Sequence, residues 1–438
     1  MNTPIADFID RYIESKTSRF HMPGHKGAGE IEKYDITEIA GADVLYSAEG
    51  IIAESENNAT ELFGTAHTYY STEGSTLAIK AMLAIASKGK IGTVLAARNV
   101  HKAFIYGCAL LDLDVEWLYP KEYSHLCSCI ITASEVDEKL SQMCAKPCAV
   151  YITSPDYLGN ISDIKGISQI CKKHGVPLLV DNAHGAYFKF LTPSLHPIDL
   201  GAAMCADSAH KTLPVLTGGA YLHISRDFPE LFRIARSSLS LFASTSPSYL
   251  IMRSLDKCNK YLAESFKDEL KNTTRRVELT KGKISKIGFS VEACEPLKIV
   301  INAAKAGYTG GELADILRKC GIECEFCDCE YLVLMVTPKN RENDLEKLIS
   351  AFESITPRSP LVMDDVKPTE AKSAMRIRAA VLSESETVAA KAAVGRICAS
   401  PSVSCPPAVP IAISGEVIGL EEVKLFEHYC IDSVEVVK

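Results

Sequence analysis

The chain has 438 residues, 47% of them hydrophobic and 23% charged, and 55 acidic against 47 basic residues give it a net charge of −8. This length predicts about two or three domains, and the composition excludes collagen, coiled-coil and disordered proteins. The acidic balance argues against a large basic face for nucleic acid. No apolar run is long enough to span a bilayer, and residues 1–15 lack the features of a secretion signal, so we expect a cytoplasmic location.

Residues 1–35 are predicted to form an N-terminal arm. An amphipathic helix occupies residues 1–15, and the glycine-rich sequence RFHMPGHKGAGE follows it. His21 and His25 have a spacing that could bind a metal from one face of a helix, but the intervening Pro-Gly breaks such a helix. We therefore predict no metal site here.

Residues 36–275 are predicted to form an α/β large domain. Short apolar segments alternate with helix-like segments such as 75–87 and 165–174, which is typical of βαβ units around a largely parallel sheet. The apolar segments alternate little between polar and apolar residues, as expected of strands buried on both faces. The predicted strands are IGTVLAA (91–97), PCAVYIT (147–153), PLLVDNA (177–183), AAMCADS (202–208) and GGAYLHI (218–224).

Residues 276–438 are predicted to form a smaller C-terminal α+β domain. A long helical segment after Ser244 leads into it, and residues 285–355 have the pattern strand, strand, helix, strand, helix. An Ala-rich helix is expected within residues 356–400, and the Pro-rich tail 401–438 should contain short strands.

Three of the sixteen cysteines lie close together in GIECEFCDCEYLVLMV. Cys324, Cys327 and Cys329 could form one corner of a metal site, but no second cysteine or histidine pair lies near them in the sequence. Alternation along a strand, with Cys327 and Cys329 on one face, explains the spacing better. We expect a structural role for this cluster, and reduced thiols throughout the chain.

A lysine follows one of the predicted strands directly. Lys211, in DSAHKTLP, lies just past the strand 202–208, at the edge where open α/β sheets bind their ligands. A lysine in a desolvated pocket can act as a Schiff-base nucleophile. The alternative is a solvated loop lysine.

An aspartate lies near the end of the preceding predicted strand. Asp181, in VDNAHG, could pair with the protonated nitrogen of a buried pyridine ring and so keep that ring electron-poor. The alternative is a carboxylate that caps the following turn.

Small hydroxyl residues precede the predicted helix at 75–87. The sequence STEGST (71–76) would place N–H groups, hydroxyls and the positive end of the helix dipole together, which is typical of a phosphate site. The alternative is an ordinary Ser/Thr cap.

Together, the three signals are more specific than any one of them. A phosphate site, an acid for a ring nitrogen and a lysine at a strand end, in this order along a βαβ series, indicate a pyridoxal 5'-phosphate (PLP) site. His101, in RNVHKA after the strand 91–97, could stack on the cofactor ring.

The sequence resembles the bacterial Orn/Lys/Arg decarboxylase family, the group III PLP-dependent decarboxylases with the aspartate aminotransferase fold. The resemblance covers nearly the whole chain, and its length is that of the compact members without the N-terminal wing domain. The motifs HMPGHK and S-x-H-K are the most specific. The matching segments are FHMPGHKG (20–27), DITEIAGAD (35–43), ELFGTAHTYYSTEGST (61–76), RNVHKA (98–103), VDNAHGAY (180–187), DSAHKTLPVLTGGA (207–220), STSPSY (244–249), GYTGGEL (307–313) and PPAVPIAISGE (406–416).

The resemblance implies a PLP fold type I large domain, with a mainly parallel seven-stranded sheet, and a smaller C-terminal domain. It implies the decarboxylation of arginine, lysine or ornithine to CO2 and the corresponding di- or polyamine, as in polyamine biosynthesis. It also implies a homodimer or higher homo-oligomer with shared active sites, a small amino acid as substrate, and neither nucleic acid nor membrane as partner.

The resemblance also implies roles for the residues next to the cofactor ring. Lys211 would form the Schiff base, Asp181 would pair with the ring nitrogen, and His101 and Ala183 would cover the two faces of the ring. His184 would lie near the ring hydroxyl, and His210 or Lys211 would return a proton to the substrate. The phosphate and its surroundings would involve Gly74, Ser75, Thr76, Ser208 and His210, and Ser246, with Ser244 and Thr245, would reach the cofactor of the partner.

Three segments depart from the family pattern and leave the substrate open. G-L-D-D-L-H reads GADVLY at 41–46, P-P-G-I-P…P-G-E reads PPAVP…SGE at 406–416, and the S-x-R-E-A helix reads MRIRAA at 375–380. A basic substrate needs an acidic partner for its distal cation, and Glu416 is one candidate, with a surface glutamate as the alternative.

Two other functions remain open on the sequence alone. An aminotransferase or lyase of the same fold would need an arginine for the α-carboxylate, and Arg376 or Arg378 could supply it. A catalytically silent, PLP-fold regulatory protein is the second alternative, which the departures at 375–416 allow.

Overall fold

The computed structural model describes residues 1–88, 92–121, 123, 125–363, 368–401, 404–405 and 409–438. Its strands are β1 (His67–Ser71), β2 (Thr93–Ala97), β3 (Asp114–Leu118), β4 (Ala149–Thr153), β5 (Leu178–Asp181), β6 (Met204–Asp207), β7 (Ala220–Ile224), β8 (Ser290–Val291), β9 (Lys298–Asn302), β10 (Phe326–Cys327), β11 (Tyr331–Met335), β12 (Ser385–Ala389), β13 (Ser404–Cys405), β14 (Val409–Pro410) and β15 (Ser433–Val437). Its α-helices are α1 (Pro4–Glu14), α2 (Ile51–Phe63), α3 (Gly74–Ser87), α4 (Lys102–Leu111), α5 (Ala133–Gln142), α6 (Ile164–His174), α7 (Ala209–Thr212), α8 (Ala235–Ser240), α9 (Tyr249–Glu264), α10 (Phe266–Ile287), α11 (Gly310–Lys319), α12 (Glu342–Glu353), α13 (Ile377–Val381) and α14 (Leu420–His428).

The main sheet has seven strands in the order β1-β7-β6-β5-β4-β2-β3. β5 runs parallel to β6, and β2 runs parallel to β3, whereas β7 is antiparallel to both β6 and β1. The expected α/β fold with a mainly parallel, seven-stranded sheet is therefore confirmed.

All five predicted strands are present, as β2, β4, β5, β6 and β7, while β1 and β3 were not predicted. The edge strand β3 exposes Asp114 and Glu116, so its polar composition hides it among loops. In β1, the buried Thr68 and Tyr70 take the place of aliphatic residues because buried hydrogen bonds satisfy their hydroxyls.

The chain folds as two compact units whose segments interleave along the sequence. Unit 1 comprises Met1–Lys90, Met143–Ile152 and Ile164–Asp268, and unit 2 comprises Ile91–Gln142, Thr153–Asp163 and Glu269–Lys438. The predicted domain limits, after residues 35 and 275, stay predictions.

In unit 1, helices begin and end where the sequence signals place them. The amphipathic α1 buries Ile5 and Ile9, and α6 ends just before Gly175, which has a left-handed φ of 62°. At the start of α2, the carboxylate of Asp43 accepts hydrogen bonds from five backbone amides, which include those of Gly50 and Ile52. Asp43 of the departing 41–46 segment is therefore a helix-capping residue.

In unit 2, a four-stranded antiparallel sheet in the order β10-β11-β9-β8 packs its apolar side chains into two buried clusters. A capping box formed by Thr309 and Glu312 begins α11. The long helical segment after Ser244 is two helices, α9 and α10, which meet at Ser265.

The C-terminal part of unit 2 follows the prediction only in part. The helix expected within residues 356–400 is present as the short α13, and the same range also contains β12, which pairs with β15. Val388 and Val434 lie opposite each other in that ladder. The helix α14 was not predicted in the tail.

Among the helices of the described residues, none is long and apolar enough to cross a membrane. The expected cytoplasmic location stays a prediction.

Candidate active site

Two neighbouring parallel strands of unit 1 end in aspartates. Asp181 is the last residue of β5 and Asp207 the last of β6, and their register pairs Asp181 with Ala206. Both strands are fully buried, so their carboxyl ends bring polar groups to one edge of the sheet. This edge is the usual place for ligands in open α/β folds.

Lys211 lies on the short helix α7, directly after β6. Its backbone amide donates to Ser208 O, and its Nζ lies 3.0 Å from Nε2 of His184. Lys211 is half-buried, whereas His184 is buried. The structure thus brings together two residues that the sequence predicted to lie beside the cofactor ring.

Asp181 is a buried carboxylate in the same region. Its Oδ1 accepts from the amide of Ala183 at 3.2 Å, and its Oδ2 accepts from the hydroxyl of Tyr151 at 3.3 Å. Burial raises the pKa of Asp181 above its ordinary value, and the nearby positive charge of Lys211 acts in the opposite direction. An additional cation, such as a protonated ring nitrogen, would stabilise this carboxylate, so the residues present fit a pyridoxal ring.

The N-terminus of α3 offers an anion site next to these residues. Gly74 has a left-handed φ of 69°, and apart from its own neighbours no described atom lies within 4 Å of the position that a Cβ would take. Within the described residues, no side chain caps this helix end. The open space at Gly74, the positive end of the helix dipole and the hydroxyls of Ser75 and Ser208 fit a phosphate group, while the amide of Gly74 itself donates to the carbonyl of Gly218.

Ser208 links this helix end to the lysine. Its hydroxyl donates to Oγ of Ser75 at 2.8 Å, so the two serines predicted to lie near the phosphate are in contact. Next to Ser208 in the chain, His210 donates from Nδ1 to the carbonyl of Gly219 at 3.0 Å, which fixes its ring. Thr76 lies exposed in the first turn of α3.

Two further predicted site residues have local contacts of their own. His101 belongs to unit 2, where it begins α4 and its Nδ1 accepts from the amide of Ala103 at 3.1 Å. Ser246 is exposed, and its amide donates to the hydroxyl of Ser244, whose own amide donates to Glu73. The predicted reach of Ser246 into a partner's site stays a prediction.

The sequence analysis missed a buried hub around Asp207. Oδ2 of Asp207 accepts from Nε2 of His196 at 3.0 Å and from Nε2 of His223 at 3.2 Å. Its Oδ1 accepts from the side-chain Nδ2 of Asn182 at 2.7 Å. Burial alone would raise the pKa of Asp207, but the two imidazoles hold it far below its ordinary value, so the carboxylate stays ionised. The one signal in the sequence that pointed to this group was Asp207 itself, which directly precedes the S-x-H-K motif.

Glu416, the candidate partner for the distal cation of the substrate, is buried. Its Oε2 lies 3.1 Å from Nη2 of Arg98, and the two side chains are only 5% and 6% exposed. The same oxygen accepts from the amide of Ile413, while Arg98 also donates to the carbonyls of Pro410 and Ile411. Glu416 is thus a buried ion-pair partner, and the alternative of a surface glutamate is wrong.

The two arginines considered for binding the α-carboxylate of a substrate also form contacts within the protein. Arg376 pairs with Asp112 and Asp114, and Arg378 donates to the carbonyls of Ala109 and Leu110. These contacts hold α13 against the end of α4 and lend no support to an aminotransferase site.

Comparisons with known proteins identify related sequences and structures. The family model for the Orn/Lys/Arg decarboxylase major domain matches residues 3–304. The uncharacterized protein YaaO of Bacillus subtilis (strain 168) is 30% identical over 97% of this chain and 93% of its own length. An arginine decarboxylase of the same strain is 28% identical over 96% of this chain and 92% of its own length.

Among solved structures, the constitutive lysine decarboxylase of E. coli matches with a TM-score of 0.80. The match covers 100% of this chain and 82% of that chain at 18% identity, so it shows the fold.

Proposed function

Because the chain belongs to the Orn/Lys/Arg decarboxylase family, which places it among the carboxy-lyases, we propose that it converts arginine, lysine or ornithine to CO2 and the corresponding di- or polyamine. We propose PLP as the cofactor. The related arginine decarboxylase of Bacillus subtilis supports a basic substrate.

One observation carries the proposal: a lysine, a buried acid and a helix N-terminus converge on one sheet edge. Lys211 lies 3.0 Å from His184, its charge acts on Asp181, and Ser208 next to it bonds to Ser75 at the start of α3. These are the groups that an aldehyde, a ring nitrogen and a phosphate require.

When bound, PLP supplies a ring that accepts the electron pair left by the departing carboxylate. In the proposal, Nζ of Lys211 would hold the cofactor at its aldehyde carbon. Asp181 would keep the ring nitrogen protonated, and His184 would position Nζ of Lys211. Either His210 or Lys211 delivers a proton to Cα of the product.

The remaining predicted residues bind and orient. Ser75, Ser208 and the open space above Gly74 hold the phosphate, with Thr76 and His210 as its neighbours. His101 and Ala183 would cover the two faces of the ring. Each of these roles is proposed, and each can be tested by its own substitution.

We further propose a homodimer or higher homo-oligomer in which Ser246 reaches the second active site. The arm leaves large apolar side chains in solvent: Phe20 is 95% exposed, Ile31 67% and Met22 55%. Such an apolar patch is typical of an interface. Sedimentation of the wild type and of Phe20→Ser tests this part, since a monomeric wild type would contradict it.

The purified full-length protein, supplied with PLP, is incubated with arginine, lysine or ornithine, and CO2 and the amine product are measured. We expect both products from at least one substrate. The formation of a keto acid without CO2 would instead indicate an aminotransferase, and bound PLP without any turnover would indicate a silent regulatory protein.

Lys211→Ala provides the residue-level test. It should abolish turnover and the visible absorption of the Schiff base, while Lys267→Ala, which removes an exposed lysine on α10, should change neither. Decarboxylation by Lys211→Ala at the wild-type rate would contradict the proposal.

A further inference from the structure

Cys329, Glu330 and His428 lie together in unit 2, and none of them belongs to the proposed cofactor site. Sγ of Cys329 is 2.9 Å from Nε2 of His428, and Oε1 of Glu330 is 3.6 Å from the same nitrogen. One potential ligand atom from each of the three residues lies within 4.8 Å of the others. The predicted strand alternation at this position is wrong, because β10 ends at Cys327 and Cys329 lies in a turn.

The turn that presents Cys329 and Glu330 is held in one conformation. It joins the antiparallel strands β10 and β11, and the amide of Asp328 donates to the carbonyl of Tyr331 across it. Oδ1 of Asp328 accepts from the amides of Glu330 and Tyr331, at 2.8 and 2.7 Å. Asp328 therefore supports the turn rather than the ligand set, and the two neighbouring side chains are pre-positioned.

His428 is the last residue of α14, and hydrogen bonds fix this helix to the turn between β10 and β11. Nε2 of His125 lies 2.8 Å from Oδ2 of Asp328 and 3.2 Å from the hydroxyl of Tyr429, so one imidazole links the two elements. Leu425 and Phe426 of α14 are buried in the apolar cluster of unit 2. The distance between the turn and the helix end is thus set by packing around the three residues.

The chemistry of the three side chains defines the class of ligand. A thiolate, an imidazole and a carboxylate form a mixed sulfur, nitrogen and oxygen set that suits a borderline divalent cation such as Zn²⁺. The thiolate and the carboxylate together neutralise two positive charges. The C-terminal end of α14 adds a favourable partial negative charge.

Solvent access is compatible with binding. All three residues are partly exposed, with His428 at 10% and Glu330 at 23% of their side chains. An ion can therefore enter from solvent, and a water molecule can complete a tetrahedral shell.

We propose that Cys329, Glu330 and His428 bind a Zn²⁺-class cation, with water as the fourth ligand. On binding, the Cys329 thiol loses its proton to solvent, the sulfur–metal bond replaces the contact between sulfur and imidazole, and no electron transfer is involved. The ion joins the β10–β11 turn to the end of α14.

The test uses the full-length, PLP-loaded protein after treatment with a chelator. Zn²⁺ uptake is measured by equilibrium dialysis and elemental analysis, and Co²⁺ is used as a spectroscopic probe. We expect one Zn²⁺ per chain, together with tetrahedral Co²⁺ ligand-field bands at wavelengths longer than the absorption of the pyridoxal group. We also expect a higher melting temperature with Zn²⁺, because the ion binds only the folded site.

Two substitutions identify the ligands. Cys329→Ser and His428→Ala should each weaken Zn²⁺ binding by at least about 100-fold and remove the Co²⁺ bands. Cys430→Ser, which removes an exposed thiol two residues from His428, should bind like the wild type. Circular dichroism and decarboxylase assays of each variant check that it is folded.

Three results would overturn the proposal. These are a wild type that takes up no more Zn²⁺ than Cys329→Ser, wild-type affinity in His428→Ala, and an equal loss of binding in Cys430→Ser. The contact between Cys329 and His428 would then be a structural hydrogen bond.

Discussion

Nδ2 of Asn182 donates a 2.7 Å hydrogen bond to Oδ1 of Asp207, and both side chains are fully buried. Asn182 follows Asp181 directly, and Asp207 precedes the segment that carries Lys211. This one bond therefore ties the loop after β5 to the loop after β6. The ionised carboxylate of Asp207 therefore helps to fix Asp181, the proposed ring acid, relative to Lys211, the proposed nucleophile.

Asp207→Asn should destabilise the protein by about 2–4 kcal/mol, because two imidazole donors and one amide donor would face a neutral group in the interior. Urea unfolding measures the change in the free energy of unfolding. Asp227→Asn, a substitution of an exposed aspartate in the same unit, serves as the control and should have little effect. Equal unfolding curves for the wild type and Asp207→Asn would contradict the importance of the hub.

Asp181→Asn should lower kcat on the order of 100-fold or more, because an amide cannot hold the proposed positive charge on the ring nitrogen. The amide oxygen can still accept from the amide of Ala183, and the NH2 group can donate to the hydroxyl of Tyr151, so we expect the fold and the cofactor content to change little. Steady-state kinetics with measured PLP content separates the two effects. A kcat within a few-fold of wild type would show that this residue is not the ring acid.

Glu416→Gln should cost about 3–5 kcal/mol of unfolding free energy, because it leaves the buried charge of Arg98 without its partner. The double variant with Arg98→Met should cost less than the sum of the two single changes. Glu323→Gln, at the exposed ion pair with Arg318, should leave stability nearly unchanged. Additive effects of the Arg98 and Glu416 changes would argue against a coupled pair.

The contribution of Asp256 to the stability of the protein should decrease as the pH rises through its titration. Burial raises the pKa of this carboxyl to about 6, above its unfolded value of 3.8, although Ser55 and Ala6 donate to it. The native state therefore binds the proton more tightly, and its advantage below pH 4 is lost as the pH rises to about 7. The loss is at most about 3 kcal/mol.

Asp256→Asn, which does not titrate, tests this directly. The unfolding free energy of the wild type, relative to this variant, should fall between about pH 4 and pH 7. Parallel pH profiles of the two proteins would show that Asp256 does not titrate in this range.

Local patterns in the sequence were sufficient to predict five of the seven strands of the main sheet and the proposed core of the site. Lys211 and Asp181 each follow a short apolar segment, so their placement at one sheet edge follows from parallel pairing alone. The glycine and serines before α3 were recognisable for the same reason, because a helix start has a local signature.

Contacts between distant segments could not be predicted in this way. Arg98 and Glu416 are 318 residues apart, and Cys329 and His428 are 99 apart. A single sequence contains no signal that relates such positions, so Glu416 was considered for the substrate and Cys329 for a strand face. The polar strands β1 and β3 were missed because their burial depends on neighbours rather than on their own composition.

The start of α3 has a practical consequence for preparing the holoenzyme. If the start of α3 binds the phosphate of the cofactor, as proposed, small oxyanions in a buffer should compete with it there. Reconstitution of the protein with PLP in phosphate or sulfate buffer should therefore be slower, and should require more PLP, than in a zwitterionic buffer. The same competition would make the choice of crystallisation salt decide which molecule is seen above Gly74.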